Sequence, residues 1–501
     1  MNYNKKNEVL NLIQILIEGI DYIKNNNLSE SIVNSSLEAI NYMKKYINNS
    51  GRSNKNLLNL IDETYVKILR LSMYKNIRLI EDCELIISNL NYLSNIIENS
   101  LNKKTKIVFM PYNAKMWNSL ESIWKSAVLD EQCDCYVVPI PYYKLIDTPN
   151  GITQIYTYEG NDFPEDVPVI HYDDFDLSKE KPDIIYVHNQ YDDCNNATMV
   201  DSNYFSYNLK QYTNMLVYVA YGILGTYPVS FYLNFYELIA SRNFDKVIVQ
   251  SPAFEIIAEC SGINKNQILT MGSPKFDSLI YNLKQKNINK NYESKLKGKI
   301  IFLWTTNLMK IPNGKDGVID EIENVFDIIE NSQEYGLIYR PHPLELEYVK
   351  SKVPECFNRY KTLLDSISIK NNIILDDSVS YYESFNLSHA LITDRSSVLI
   401  EYIQTKKPIL IYDIDMERGY YDSRIFDIFS NYVVGEEDMD LIKFMNLVKN
   451  NNDYKLNQRL NSLNSVLSNT DGSCGEKIHT NVLELSLIHI SEPTRRYAIS
   501  Y

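Results

Sequence analysis

Residues Ala390–Asp413 read ALITDRSSVLIEYIQTKKPILIYD. Ala390–Thr393 is an apolar run, too short for a helix and suited to a buried parallel strand. Asp394-Arg395-Ser396-Ser397 follows as a polar turn. Val398, Leu399, Ile400, Tyr402 and Ile403 then recur with helical period. Lys406-Lys407 sit at the negative end of that helix, and Pro408 blocks its continuation. Ile409–Tyr412 is the next strand. Strand, polar turn, helix and strand in this order make one unit of an α/β fold.

The turn is the chemical part of the unit. Ser396 and Ser397 stand where a helix begins, so their amides and hydroxyls face outward unpaired, which suits a phosphate group. Asp394 can orient the serines or accept from a sugar hydroxyl. Simple helix capping by Asp394 or Ser396 is the plainer alternative. A second element upstream favours the ligand. Gly336–Pro343 reads GLIYRPHP: Leu337-Ile338-Tyr339 ends a strand, and two prolines stiffen the turn that presents Arg340 and His342. The arginine offers a planar fork to phosphate oxygens. The histidine can donate to phosphate or move a proton near neutral pH, or serve only as a turn residue. Ligands of open α/β sheets bind off the carboxyl ends of the strands, where both turns would lie.

Working outward, 501 residues suit two or three domains. A net charge of −14 argues against a general nucleic-acid binder. No run of 18 apolar residues suggests a membrane span, and the first residues lack a signal peptide's apolar core. The seven cysteines are scattered with no zinc-site spacing, which points to a reducing, cytoplasmic setting and no metal.

Residues 1–100 contain no proline, balance their charges and carry helical faces such as Val9, Leu12, Ile13, Leu16, Ile20 and Ile23. They predict an antiparallel helical bundle suited to self-association or docking, or to no more than a folding cap. From Thr105 strands and helices alternate, giving a first Rossmann-like domain over 101–285 and a second over 286–484. The first has a long excursion after Pro139 with a hairpin around Gly151, and His188 ends one of its strands. The polar Asn282–Lys299 segment connects the two. In the second domain Arg418 follows the strand that ends at Asp413. Leu485–Tyr501, LSLIHISEPTRRYAISY, breaks the helical pattern and resembles translated sequencing-adapter DNA. Residues 485–501 are therefore expected to be a non-native tail.

Four stretches resemble the CDP-glycerol glycerophosphotransferase family of teichoic-acid synthesis, over Thr105 to Glu484. They are GSPKFDSL (Gly272–Leu279), YRPHPL (Tyr339–Leu344), TDRSSVLIEYIQTKKPILIYDID (Thr393–Asp415) and the Asp471-Gly472 turn before the last helix. The resemblance implies a GT-B-like α/β fold, two Rossmann-like domains facing a cleft, behind the helical bundle. It implies a cytoplasmic, metal-independent phosphotransferase without a cofactor. CDP-glycerol would be the donor, CMP the product and a lipid-linked polyol phosphate the acceptor, with peripheral contact at the inner face of the membrane. By the same resemblance, Arg340 and His342 would contact the diphosphate and Ser396 and Ser397 would bind phosphate. Asp394 would orient their turn, Lys275 and Asp277 would line the cleft near the hinge, and Arg418 would join the binding set.

One departure matters. Where relatives carry a His-Gly pair, thought to supply the general base, this chain reads Val219-Ala220-Tyr221-Gly222. His188, at the end of a neighbouring strand, is the candidate in its place. Two other readings stay open: a GT-B glycosyltransferase using a nucleotide sugar, and a catalytically degenerate nucleotide-binding scaffold.

Overall fold

The computed structural model describes residues 3–489 except 27–28, 50–54, 74–78, 101–103, 149–150, 196, 286–289, 309, 379, 395 and 413–425. Four helices, Tyr3–Asn25, Glu30–Asn49, Lys55–Met73 and Leu79–Ser100, come first. Ile13, Leu16, Ile20, Ile40, Ile61, Ile68, Ile86 and Leu90 fill the seam between them. The period-3.6 spacing of these residues is what buries one stripe per helix. Lys44 interrupts the apolar face of the second helix, and it pairs with Asp62 on the third.

Beyond the bundle lie fifteen strands among the described residues. They are β1 Thr105–Phe109, β2 Cys133–Val137, β3 Tyr142–Thr148, β4 Gly151–Thr157, β5 Ile184–Val187, β6 Thr198–Val200, β7 Met215–Val219, β8 Lys246–Val249 and β9 Ile268–Thr270, then β10 Ile300–Thr305, β11 Tyr335–Arg340, β12 Ile373–Leu375, β13 Ala390–Thr393, β14 Ile409–Ile411 and β15 Tyr432–Val433. Two parallel sheets result, ordered β2-β1-β5-β7-β8-β9 and β12-β11-β10-β13-β14-β15. Most of their strands are short, largely apolar runs because helices cover both faces; β5, β7, β8 and β13 are buried at every residue. β3, β4 and β6 form a small antiparallel sheet, its hairpin turning at Gly151 with φ +110°.

The second sheet has the doubly wound 3-2-1-4-5-6 order. Its direction of winding reverses between β10 and β13, so the loops after these strands diverge and leave a crevice. The helix Ser397–Ile403 springs from the β13 turn, and after the β10 turn Lys310–Glu330 holds two helical stretches joined by a kink at Lys315 (φ 49°, ψ −131°).

The last helix, Cys474–His489, returns to the first sheet and packs on the helix Glu121–Val128. The sequence reading placed residues up to 484 with the second domain, and ended the helix before 485. The helix runs on to His489, and Ser486 is buried with no hydrogen-bond partner for its hydroxyl among the described residues. No described helix is long and apolar enough to cross a membrane.

Candidate active site

A cleft of about 1050 Å³ runs between the two sheets. On the side of the second sheet it is lined by the carboxyl ends of the strands: Thr305, Thr306 and Asn307 after β10, Arg340 to Pro343 after β11, and Ser396, Ser397 and Val398 after β13. Arg340, His342, Ser396 and Ser397, picked from two separate stretches of sequence, therefore share one cavity.

The turn geometry explains how. Thr305 and Thr393 end adjacent strands and bond hydroxyl to hydroxyl at 2.7 Å. One residue on, the buried Asp394 accepts from the backbone N–H of Asn307 at 3.0 Å and from Lys310 Nζ at 2.7 Å. Lys310 also donates to the carbonyl of Tyr412 and lies 3.6 Å from Glu321. The Asp394 carboxylate thus locks the β10 and β13 turns together from behind. Ser396 has extended backbone (φ −157°, ψ 167°) and opens the helix without a side-chain cap; its buried Oγ has no partner among the described residues.

Arg340 is held rigidly. Its Nη1 lies 2.9 Å from the buried Asp376 and donates to Ser378 Oγ, while Nη2 donates to the Ser378 carbonyl at 2.8 Å. The guanidinium lies over the Tyr381 ring, 5.7 Å from its centroid. A buried carboxylate on one side and an aromatic face on the other leave the fork aimed by packing rather than by solvent.

His342 is exposed at the cleft. Its Nδ1 accepts from the backbone N–H of Leu344 at 3.2 Å. Partial burial lowers its pKa, so the ring is neutral near pH 7. With Nδ1 accepting, the proton of the neutral ring sits on Nε2. His342 therefore offers a donor to the cleft and not a base.

Sequence reasoning missed Glu345. It is fully buried, and Oε2 accepts from Thr306 Oγ1 at 2.6 Å and from the His342 backbone N–H at 3.1 Å. One carboxyl thus ties the β10 turn to the β11 turn. Burial pushes its pKa up to about 8. Its place three residues after His342 was the available signal, since a carboxylate there can reach back to a turn amide. Lys310, Lys115 and Glu321, which also line the cleft, carried no sequence signal beyond their place after strand-end turns.

Three residues lie elsewhere. His188 does not face the cleft. It is fully buried, Nε2 accepts from the Tyr112 N–H at 3.1 Å and Nδ1 meets Ser119 Oγ at 3.2 Å. Desolvation drives its pKa down to about 3. With both nitrogens occupied it is a core residue, and the general-base assignment is withdrawn. Asp277 caps the last helix instead of lining the cleft, accepting from the N–H groups of Cys474 (3.1 Å) and Gly475 (2.7 Å). Lys275 pairs at 2.9 Å with Glu401, which also accepts from the Tyr381 hydroxyl. It braces the first domain against the second. Arg418 lies outside the described residues.

The facing wall is aromatic. Tyr191, Tyr221, Tyr227, Phe231 and Phe235 line it, with Lys115 its single charged side chain among the described residues. Ala220, Tyr221 and Gly222, which stand in place of the expected His-Gly pair, do reach this wall.

The family described as CDP-Glycerol:Poly(glycerophosphate) glycerophosphotransferase matches residues 235–484. The chain belongs to this family. It is 21% identical over 247 residues to the teichoic acid ribitol-phosphate primase of Bacillus spizizenii (strain ATCC 23059 / NRRL B-14472 / W23). That match takes in 47% of this chain and 58% of the relative, so the chain spans less than two thirds of the curated relative's length. Among solved structures, a variant of the wall teichoic acid polymerase TagF superposes with a TM-score of 0.50 at 15% identity, over 85% of this chain and 98% of that one. The fold is shared at that distance: a GT-B pair of Rossmann-like domains. A UDP-GlcNAc 2-epimerase from Neisseria meningitidis gives a TM-score of 0.47 at 12% identity, over 76% of this chain and 100% of that one.

Proposed function

We propose that this glycerophosphotransferase-family chain moves glycerol phosphate from CDP-glycerol to a hydroxyl of a polyol-phosphate, teichoic-acid-like acceptor and releases CMP. What carries the reading is the convergence of three kinds of phosphate donor on the reversal point of one parallel sheet. They are the Arg340 fork, the His342 Nε2–H and the amides that open the helix Ser397–Ile403. The acceptor hydroxyl attacks the β-phosphorus of the donor, the new P–O bond forms, the bond to the CMP oxygen breaks, and the hydroxyl proton passes to water. Arg340 and the helix amides stabilise charge on the transferring group, and His342 donates to an oxygen of the diphosphate.

A second reading, a nucleotide binder without turnover, is favoured by the aromatic wall, which offers no histidine or carboxylate among its described residues. Product analysis with purified chain, CDP-glycerol and a glycerol-phosphate primer separates the readings. CMP release coupled to primer extension supports transfer. A nucleoside diphosphate released from a nucleotide sugar would replace it with sugar transfer. No turnover with retained nucleotide binding would leave the binder.

A further inference from the structure

We propose that Asp130, Cys133 and His479 form a binding site for one zinc-class divalent cation, remote from the cleft. One oxygen, sulfur and nitrogen from these residues lie within 4.8 Å of one another. Asp130 follows the helix Glu121–Val128, Cys133 opens β2, and His479 comes from the last helix, 349 positions from Asp130. No local spacing in the sequence could reveal the set.

The donor chemistry fits zinc. Thiolate, imidazole and carboxylate are its usual ligands, at bond lengths of about 2.0–2.3 Å, which place neighbouring ligand atoms about 3–4 Å apart in a tetrahedron. His479 Nε2 and Asp130 Oδ2 are 3.0 Å apart. The second Asp130 oxygen accepts from the Gln132 N–H at 2.9 Å, which fixes the carboxylate and leaves Oδ2 to coordinate. Cys133 and His479 are buried, and Nδ1 of the histidine has no partner among the described residues. Asp130 is a quarter exposed, so a fourth position opens to solvent for a water.

The site would staple the middle of the last helix to the first sheet. The start of that helix is already pinned by Asp277, and Gly475 lies so close to the Glu121–Val128 helix that an added Cβ would meet Ser122 Oγ at 2.3 Å.

The test uses the full chain with C194S and C260S, which remove the two exposed thiols. After dialysis against EDTA it is titrated with cobalt(II). One equivalent should bind with a near-ultraviolet thiolate-to-cobalt band and visible absorption of tetrahedral strength, and zinc should displace it and raise the melting temperature. C133S should lose the thiolate band. H479Q should keep that band and weaken cobalt binding by more than the roughly 10–100-fold that loss of an outer ligand contact costs. Each variant is melted without metal beside its parent, so that a lost ligand is told from a lost fold; should C133S not fold, D130N and H479Q carry the test. No thiolate band in the parent, a band unchanged in folded C133S, or cobalt affinity unchanged in folded H479Q and D130N overturns the site.

Discussion

Glu345→Gln isolates the buried carboxyl that joins two cleft turns. In the fold its pKa is about 8, against 4.5 for the ordinary group, because burial penalises the charged form. Between those values the folded chain holds a proton that the unfolded chain has lost. Linkage then makes stability fall as pH rises, by about 1.4 kcal/mol per pH unit, levelling above pH 8. By pH 7.5 the wild type should have lost about 4 kcal/mol of what this group allows at pH 4.5. Glutamine keeps an acceptor for Thr306 and the His342 N–H but has no proton to lose. Its own fixed cost, for an amide beside the unpartnered Oε1 position, does not vary with pH. The difference between variant and wild type should therefore slope with pH, in favour of the variant as pH rises. Three tryptophans allow a local readout by 5-fluorotryptophan NMR in urea. The Trp304 resonance, assigned with Trp304→Phe, reports the second sheet, where Trp304 is fully buried against Tyr339. Parallel stabilities for wild type and Glu345→Gln from pH 5.5 to 7.5 would refute the argument.

Other outcomes follow from the same geometry. Ser397→Pro removes one helix-opening amide while keeping a residue suited to the first helical position, and the extended Ser396 before it already satisfies proline; calorimetric affinity for CDP-glycerol should drop about 10-fold or more with an unchanged melting curve. Arg340→Lys keeps the charge opposite Asp376 but loses the fork, and should weaken the same nucleotide by about 10–100-fold. Asp277→Ala should cost about 1–2 kcal/mol of stability through the lost helix cap and leave nucleotide affinity intact, whereas a drop in affinity would return Asp277 to the cleft. His188→Gln should flatten the acid limb of stability: the wild-type ring, held neutral with a pKa of about 3, loses stability as pH falls below about 6.5, since only the unfolded chain takes up that proton.

The strands around the cleft were legible because parallel strands covered on both faces read as short unbroken apolar runs. Ala390–Thr393 is observed over the residues expected. β2 was not: its sequence CDCYV alternates in polarity, and the more apolar stretch 136–139 lies partly beyond its end. RPHP and the serine turn announced themselves through proline stiffness and helix-start chemistry. Lys310 and Asp376 did not, because a buried charge is recognised by its partners, and those sit 84 and 36 positions away; Glu345 offered only its three-residue reach back to the His342 amide, while its Thr306 partner lies 39 positions away. His188 misled for the same reason: a strand-end histidine looks the same in sequence whether it faces a cleft or Tyr112 and Ser119.

The motifs that carried the family resemblance divide by physical task. The arginine–histidine and serine turns face the cavity. The Gly272–Asp277 segment and the Asp471-Gly472 turn build a joint instead. Gly272, at φ +97°, lies where a Cβ would sit 2.2 Å from the Ser468 carbonyl, and Asp277 caps the helix that follows the second turn. Next to that joint the Lys275–Glu401 pair is buried, and a buried pair persists only when both charges stay matched. Glu401 also accepts from Tyr381, whose ring lies beneath Arg340. A change in the angle between domains that pulled Lys275 from Glu401 would leave that carboxylate buried and uncompensated. The strain would pass through Tyr381 to the guanidinium that faces the cleft. The joint residues thus bear on the proposed phosphate site through the aim of Arg340, without lining the cleft themselves.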